Sequence, residues 1–189
     1  SFRGADRLLQ RYGFRATMFV PTARIGSRDR ALLMWKELTR MQDSGRWDVQ
    51  AEGTDGDVRV ALDSNGATAP AYAVRRYTDS EGVETYADWQ QRVTHEVFAA
   101  RSTLLDHGFD PVALSVPAGD YGRLGTNDAR IPGYAGGLIA DQFGVAFVRD
   151  ARNYPGYTTR KGDAARFEIG AETTADDLYA WLRAGDPAR

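Results

Sequence analysis

Apolar residues recur along this chain in two rhythms, one helical and one short and continuous, and the two alternate. Ala5, Leu8, Leu9 and Tyr12 fall at helical spacing, with Gly13 where a left-handed C-terminal residue is expected, so residues 3–12 are predicted to be a helix. The run from Arg15 to Val20, stopped by Pro21, predicts a buried strand. Trp35, Leu38 and Met41 share one face of a second helix from about Met34 to Ser44, and Trp47 to Ala51 reads as the second strand. Trp89, Val93, Val97, Ala100 and Leu104 form a single stripe on a long helix from about Tyr86 to His107, closed by Gly108.

The alternation continues. Val112 to Val116 predicts a third strand, Leu138, Ile139 and Phe143 a helix, and Val145–Val148 and Arg166–Ile169 two further strands. Thr174 followed by Asp177 makes a variant capping box ahead of Leu178, Trp181 and Leu182, which predicts a last helix ending before Gly185. Two stretches interrupt the pattern. Val58 to Val74 reads as a β excursion turning at Asn65-Gly66, and Asp120 to Pro132 as a loop rich in Gly, Asn and Asp. Strands alternating with helices predict an α/β protein with a parallel sheet or barrel. No internal repeat or low-complexity linker divides the chain, so residues 1–189 are expected to form a single domain.

Composition narrows the partners. With 24 basic against 26 acidic residues the chain has no overall field for nucleic acid, and no nucleic-acid partner is expected. The absence of cysteine excludes disulfides, thiolate metal sites and a thiol nucleophile. Apolar runs such as Ala16–Pro21 and Ala135–Ala140 fall far short of the roughly 20 residues that span a bilayer, so no membrane span is expected. The opening Ser1-Phe2-Arg3-Gly4-Ala5-Asp6 does not read as a signal peptide, which suggests a trimmed chain or a fragment.

Three segments carry a family likeness. Leu8 through Val20 resembles the helix and strand that follow the first catalytic motif of the polysaccharide deacetylases of the NodB-homology group. Trp35-Lys36-Glu37-Leu38 through Met41, Ser44-Gly45 and Trp47-Asp48-Val49 is similar to the stretch leading into their second motif. Val116-Pro117-Ala118-Gly119-Asp120-Tyr121-Gly122 resembles the third. The resemblance implies an irregular (β/α) barrel that removes acetyl groups from N-acetylhexosamine polymers, in an extracellular or cell-envelope setting. In the family a divalent metal held by one Asp and two His activates water for a second Asp to deprotonate.

The chain departs from that pattern at each motif. The first motif would precede Ser1, so the expected barrel lacks its first strand, the catalytic aspartates have no counterpart, and another domain or chain is expected to supply the missing strand. Where two metal-binding histidines would follow the second strand stand Glu52-Gly53-Thr54-Asp55-Gly56-Asp57. Ala118 replaces the third motif's aromatic and leaves its backbone N–H as an oxyanion donor.

Glu52, Asp55 and Asp57 are candidate oxygen ligands, with Glu52 and Asp57 the metal positions expected, for a hard divalent cation rather than the family's zinc; a solvated acidic turn is the alternative. With Pro117 and Gly119 beside them, Asp120, Tyr121 and Asn127 are candidate sugar contacts, through hydroxyl-matching polar groups and ring stacking, and turn building is the alternative. Arg166 either orients a carboxylate or forms a surface ion pair with Glu168 or Glu172. His95 is expected to face outward and His107 to complement a helix C-terminus. The function expected is a polysaccharide deacetylase-like domain, inactive in this chain. The alternatives are a glycan-binding module on the same fold, drawing also on aromatics such as Trp89 or Tyr77, and an interaction domain without a ligand.

Overall fold

The structure, a computed structural model, describes residues 2–27, 32–149, 158–160, 162–166 and 169–184. In chain order these form α1 (Phe2–Tyr12), β1 (Ala16–Val20), α2 (Trp35–Asp43), β2 (Trp47–Ala51), a hairpin of β3 (Arg59–Ala61) and β4 (Thr68–Pro70), and a hairpin of β5 (Tyr77–Thr78) and β6 (Gly82–Val83). Then come α3 (Tyr86–Asp106), β7 (Ala113–Ser115), α4 (Ile131–Phe143), β8 (Val145–Arg149), β9 (Thr158–Arg160), β10 (Asp163–Arg166) and α5 (Ala175–Ala184).

Strands β1, β2, β7, β8 and β10 lie side by side in that order and run parallel, with β9 antiparallel on the outer edge of β10. Each crossover adds its strand on the same side as the last. Because such crossovers are right-handed, their helices collect on one face, where α2 and α3 pack on β2 and α4 on β7 and β8.

The opposite face is concave. Phe19 on β1 and Phe147 on β8 stand three strands apart, about 14 Å in a flat sheet. Their ring centroids lie only 5.1 Å apart, so the sheet curls. Among the described residues no strand pairs with the outer edge of β1. That edge is unpaired as expected of a barrel lacking its first strand, and the parallel strands with their flanking helices agree with the α/β class.

Burial follows the helical stripe. Trp89, Val93, Val97, Ala100 and Leu104 are all fully buried, which for the valines and leucine contributes about 1.5–3 kcal/mol each. That burial corrects one expectation: Trp89, enclosed by Tyr86 and Tyr134, has no ring face to offer a sugar, whereas Tyr77 is half-buried on β5. Gln50 is buried too, and its Oε1 accepts the N–H groups of Val112 and Ala113 at 2.8 Å each. It supplies bonds that the short β2–β7 ladder, paired only at Ala51 and Leu114, leaves unmade.

Three elements depart from expectation. The strand expected over 166–169 overlaps β10 at Arg166, with β10 paired to β8 from Asp163 opposite Ala146 to Arg166 opposite Arg149; Phe167 and Glu168 lie outside the described residues. The hairpin β5–β6 and strand β9 carry too few apolar residues to announce themselves. No helix among the described residues is long and apolar enough to cross a membrane.

Candidate functional site

The C-terminal ends of β1, β2, β7 and β10 meet at one rim, the edge of an α/β sheet where ligands generally bind. Backbone bonds fasten the first two ends together: Glu52 N–H donates to the Val20 carbonyl at 2.9 Å and Thr22 N–H to the Gly53 carbonyl at 3.2 Å. Gly53 lies so close to the next strand end that a Cβ there would sit 3.1 Å from Pro117 Cγ. Across this junction the Ala118 N–H donates to the Asp57 carboxylate, and Arg166 donates from β10 to the buried Ser115 hydroxyl at 2.6 Å.

The turn after β7 is strained for that purpose. Ala118 has φ 53°, a left-handed conformation that costs a residue with a Cβ about 1–2 kcal/mol. It presents the Ala118 N–H to Asp57. Gly119 follows at φ 72°, and a Cβ there would lie 2.7 Å from Arg149 Cβ, so only glycine fits.

Glu52 is half-buried at the centre of the rim. Burial pushes its carboxyl above the ordinary glutamate value and the Asp57 charge adds to that, while Arg166 and Arg24 pull the other way. Glu96 of α3 braces the loop from behind: its carboxylate accepts the Thr54 N–H at 2.8 Å and the Asp55 N–H at 3.4 Å, and its carbonyl accepts the Thr54 hydroxyl at 3.2 Å. Sequence reasoning passes over Glu96, Ser115 and Arg24. Nothing local ties Glu96 to a loop 42 residues away, and Ser115 reads as one more position in an apolar strand.

The structure thus brings Glu52, Asp57, Pro117, Ala118, Gly119 and Arg166 together. The other candidates serve the loop after Gly119. Asp120 Oδ1 accepts the N–H groups of Gly122, Arg123 and Leu124, which builds the turn. Tyr121 is 2% exposed, and its hydroxyl donates to Asp163 at 2.7 Å, so its ring faces the core. Asn127 bridges the backbone of Arg75, accepting its N–H at 2.9 Å and donating to its carbonyl at 2.8 Å. Asp55 is exposed, and its backbone rather than its carboxylate is engaged by Glu96.

The donor set does not fit a zinc held by one Asp and two His. His95 lies in α3 and His107 at its C-terminal cap, about 18 Å apart along the axis. His107 stacks on Trp35 at 3.5 Å between ring centroids, and its Nδ1 lies 2.8 Å from the Thr103 carbonyl. Among the described residues no three His, Asp or Glu side chains gather into a metal site. The pair expected to hold a hard cation, Glu52 and Asp57, has Arg166 and Arg24 in its field and one carboxylate already on the Ala118 N–H.

No protein-family model matches the sequence, and no curated protein sequence matches it. Solved structures do match in shape. A de-N-acetylase from Aggregatibacter actinomycetemcomitans superposes over 94% of this chain and 69% of its own, with a TM-score of 0.75 at 15% identity. The deacetylase domain of BpsB from Bordetella bronchiseptica covers 85% of this chain and 63% of its own, with a TM-score of 0.67 at 18% identity. A polysaccharide deacetylase from Bacillus cereus covers 94% of this chain and 46% of its own, with a TM-score of 0.58 at 15% identity. This chain therefore has the fold of the NodB-like polysaccharide deacetylases and spans about half to two thirds of the length of these structures.

Proposed function

We propose that this deacetylase-like domain engages N-acetylhexosamine polymers at the rim formed by Glu52, Asp57, Ala118 and Arg166, and that it binds them without hydrolysing them. The observation that carries this reading is the meeting of two carboxyl groups, a guanidinium and a directed backbone N–H at the carboxyl ends of parallel strands. An acetylated sugar presents hydroxyls and an amide. The Glu52 carboxylate suits hydroxyl and amide N–H donors, the Ala118 N–H suits an amide carbonyl once Asp57 swings away, and Arg166 suits hydroxyl oxygens. The polymers are expected outside the cell or in its envelope, where the family resemblance puts them.

Hydrolysis asks for more. An activated water needs a metal or a base aimed at it, and among the described residues no three His, Asp or Glu side chains gather to hold a metal. A titration with acetylated chito-oligosaccharides, followed by calorimetry and by an acetate assay with zinc, cobalt, magnesium or calcium added, tests both halves. Binding without acetate release is the expected result. Metal-dependent acetate release overturns the non-hydrolytic half, and absence of binding overturns the proposal.

A further inference from the structure

We propose that the groove between the β5–β6 hairpin and the outer face of α3 is a second binding site, holding further units of a hexosamine oligomer whose acetylated unit sits at the rim. The inference rests on the rim reading above and extends it to a part of the molecule that reading does not use.

The groove has a volume of about 730 Å³, and Arg76, Glu81, Asp88, Gln91, His95 and Glu96 are among its lining residues. Glu96 connects it to the rim, because the same side chain accepts the Thr54 and Asp55 N–H groups. From Asp88 to Glu96 the α3 wall runs about 12 Å at 1.5 Å per residue, room for more than one pyranose ring. The walls are held in place: Arg92 of α3 donates to Glu84 at 2.9 and 2.7 Å and to the carbonyls of Ala71 and Val74 at 2.9 and 3.2 Å. A groove fixed by its own bonds loses little freedom when a ligand enters.

Its chemistry selects the ligand. Among the described residues no Phe, Tyr or Trp ring lines it, so a sugar is gripped by hydrogen bonds, for which the exposed side chains of Glu81, Gln91 and His95 are free on one flank. Four carboxylates, Glu81, Glu84, Asp88 and Glu96, face two guanidiniums, Arg76 and Arg92. That balance disfavours a polyuronate and accepts a neutral or amine-bearing hexosamine.

The test compares the wild type with the double variant Glu81→Ala/Gln91→Ala in calorimetric titrations with the disaccharide and the hexasaccharide of N-acetylglucosamine. Two added hydrogen bonds make the hexasaccharide about tenfold tighter than the disaccharide in the wild type. The variant should lose that gain, keep the disaccharide affinity and keep its circular dichroism. A length gain that survives in the variant overturns the groove assignment while leaving the rim reading intact. Absence of binding by either sugar overturns the rim reading and takes this inference with it. Polyuronate binding as tight as that of the hexasaccharide, lost in the variant, overturns the choice of ligand.

Discussion

Replacing Glu84 by alanine should be among the most damaging single changes outside the core. The Glu84 side chain is 6% exposed, receives both arms of the Arg92 guanidinium, and accepts the Arg76 N–H at 3.1 Å. Removing one partner of a buried ion pair costs about 3–5 kcal/mol, because the other charge is stranded. Here Arg92 is 22% exposed and keeps its bonds to the Ala71 and Val74 carbonyls, so the low end, about 3 kcal/mol, is expected. In a chain of this size that lowers the melting temperature by about 6–12 °C.

The effect should depend on pH. Burial pushes the Glu84 carboxyl up, but the hydrogen bonds from Arg92 and Arg76 and the charges of both guanidiniums outweigh burial and hold it below the ordinary glutamate value. A depressed value stabilises the fold above the unfolded-state pKa and loses that contribution as pH falls through the folded one. Thermal melts of wild type and Glu84→Ala should therefore differ most near neutrality and converge in acid, below about pH 4. A difference under about 1 kcal/mol at pH 7, or one that does not shrink in acid, refutes the reasoning.

Other substitutions probe the rim. Gly119→Ala forces a Cβ to 2.7 Å from Arg149 Cβ at a left-handed φ, and chemical denaturation should show a loss of about 2–4 kcal/mol. Glu52→Gln removes a carboxyl whose folded pKa is raised, chiefly by burial; such a group favours folding at low pH and opposes it as pH rises through the folded value. The variant should be more stable than wild type near neutrality, and melts at lower pH should show the gain vanish. Asp57→Ala frees the Ala118 N–H, so hydrogen exchange at that amide should accelerate while global stability falls by about 0.5–1.5 kcal/mol.

Much of the fold was legible because its elements carry strong periodic signals. The α3 stripe emerges fully buried, and the Thr174–Asp177 box forms as read, with Asp177 N–H on the Thr174 hydroxyl at 3.1 Å and Thr174 N–H on the Asp177 carboxylate at 2.9 Å. The β5–β6 hairpin was not legible, since two-residue strands have no room for a period and this one is held by the Glu84–Arg92 pair. At the rim, the order of motifs was enough to bring Glu52, Asp57 and Ala118 together. It did not distinguish side chains that face a ligand from side chains that build a turn. Asp120 and Asn127 are chemically suited to both, and the three N–H groups that converge on Asp120 depend on backbone geometry that composition does not encode. Glu96 escaped because its partners come from another element entirely.

The most direct test is a nuclear magnetic resonance titration of the whole chain with the hexasaccharide of N-acetylglucosamine, following backbone amides. If the rim is a glycan site, the amides of Gly53, Thr54, Asp57, Ala118 and Gly119 shift together in a saturable way. Unchanged rim amides at saturating sugar, or shifts confined to surfaces remote from Glu52 and Ala118, would contradict the assignment of this rim to a hexosamine polymer.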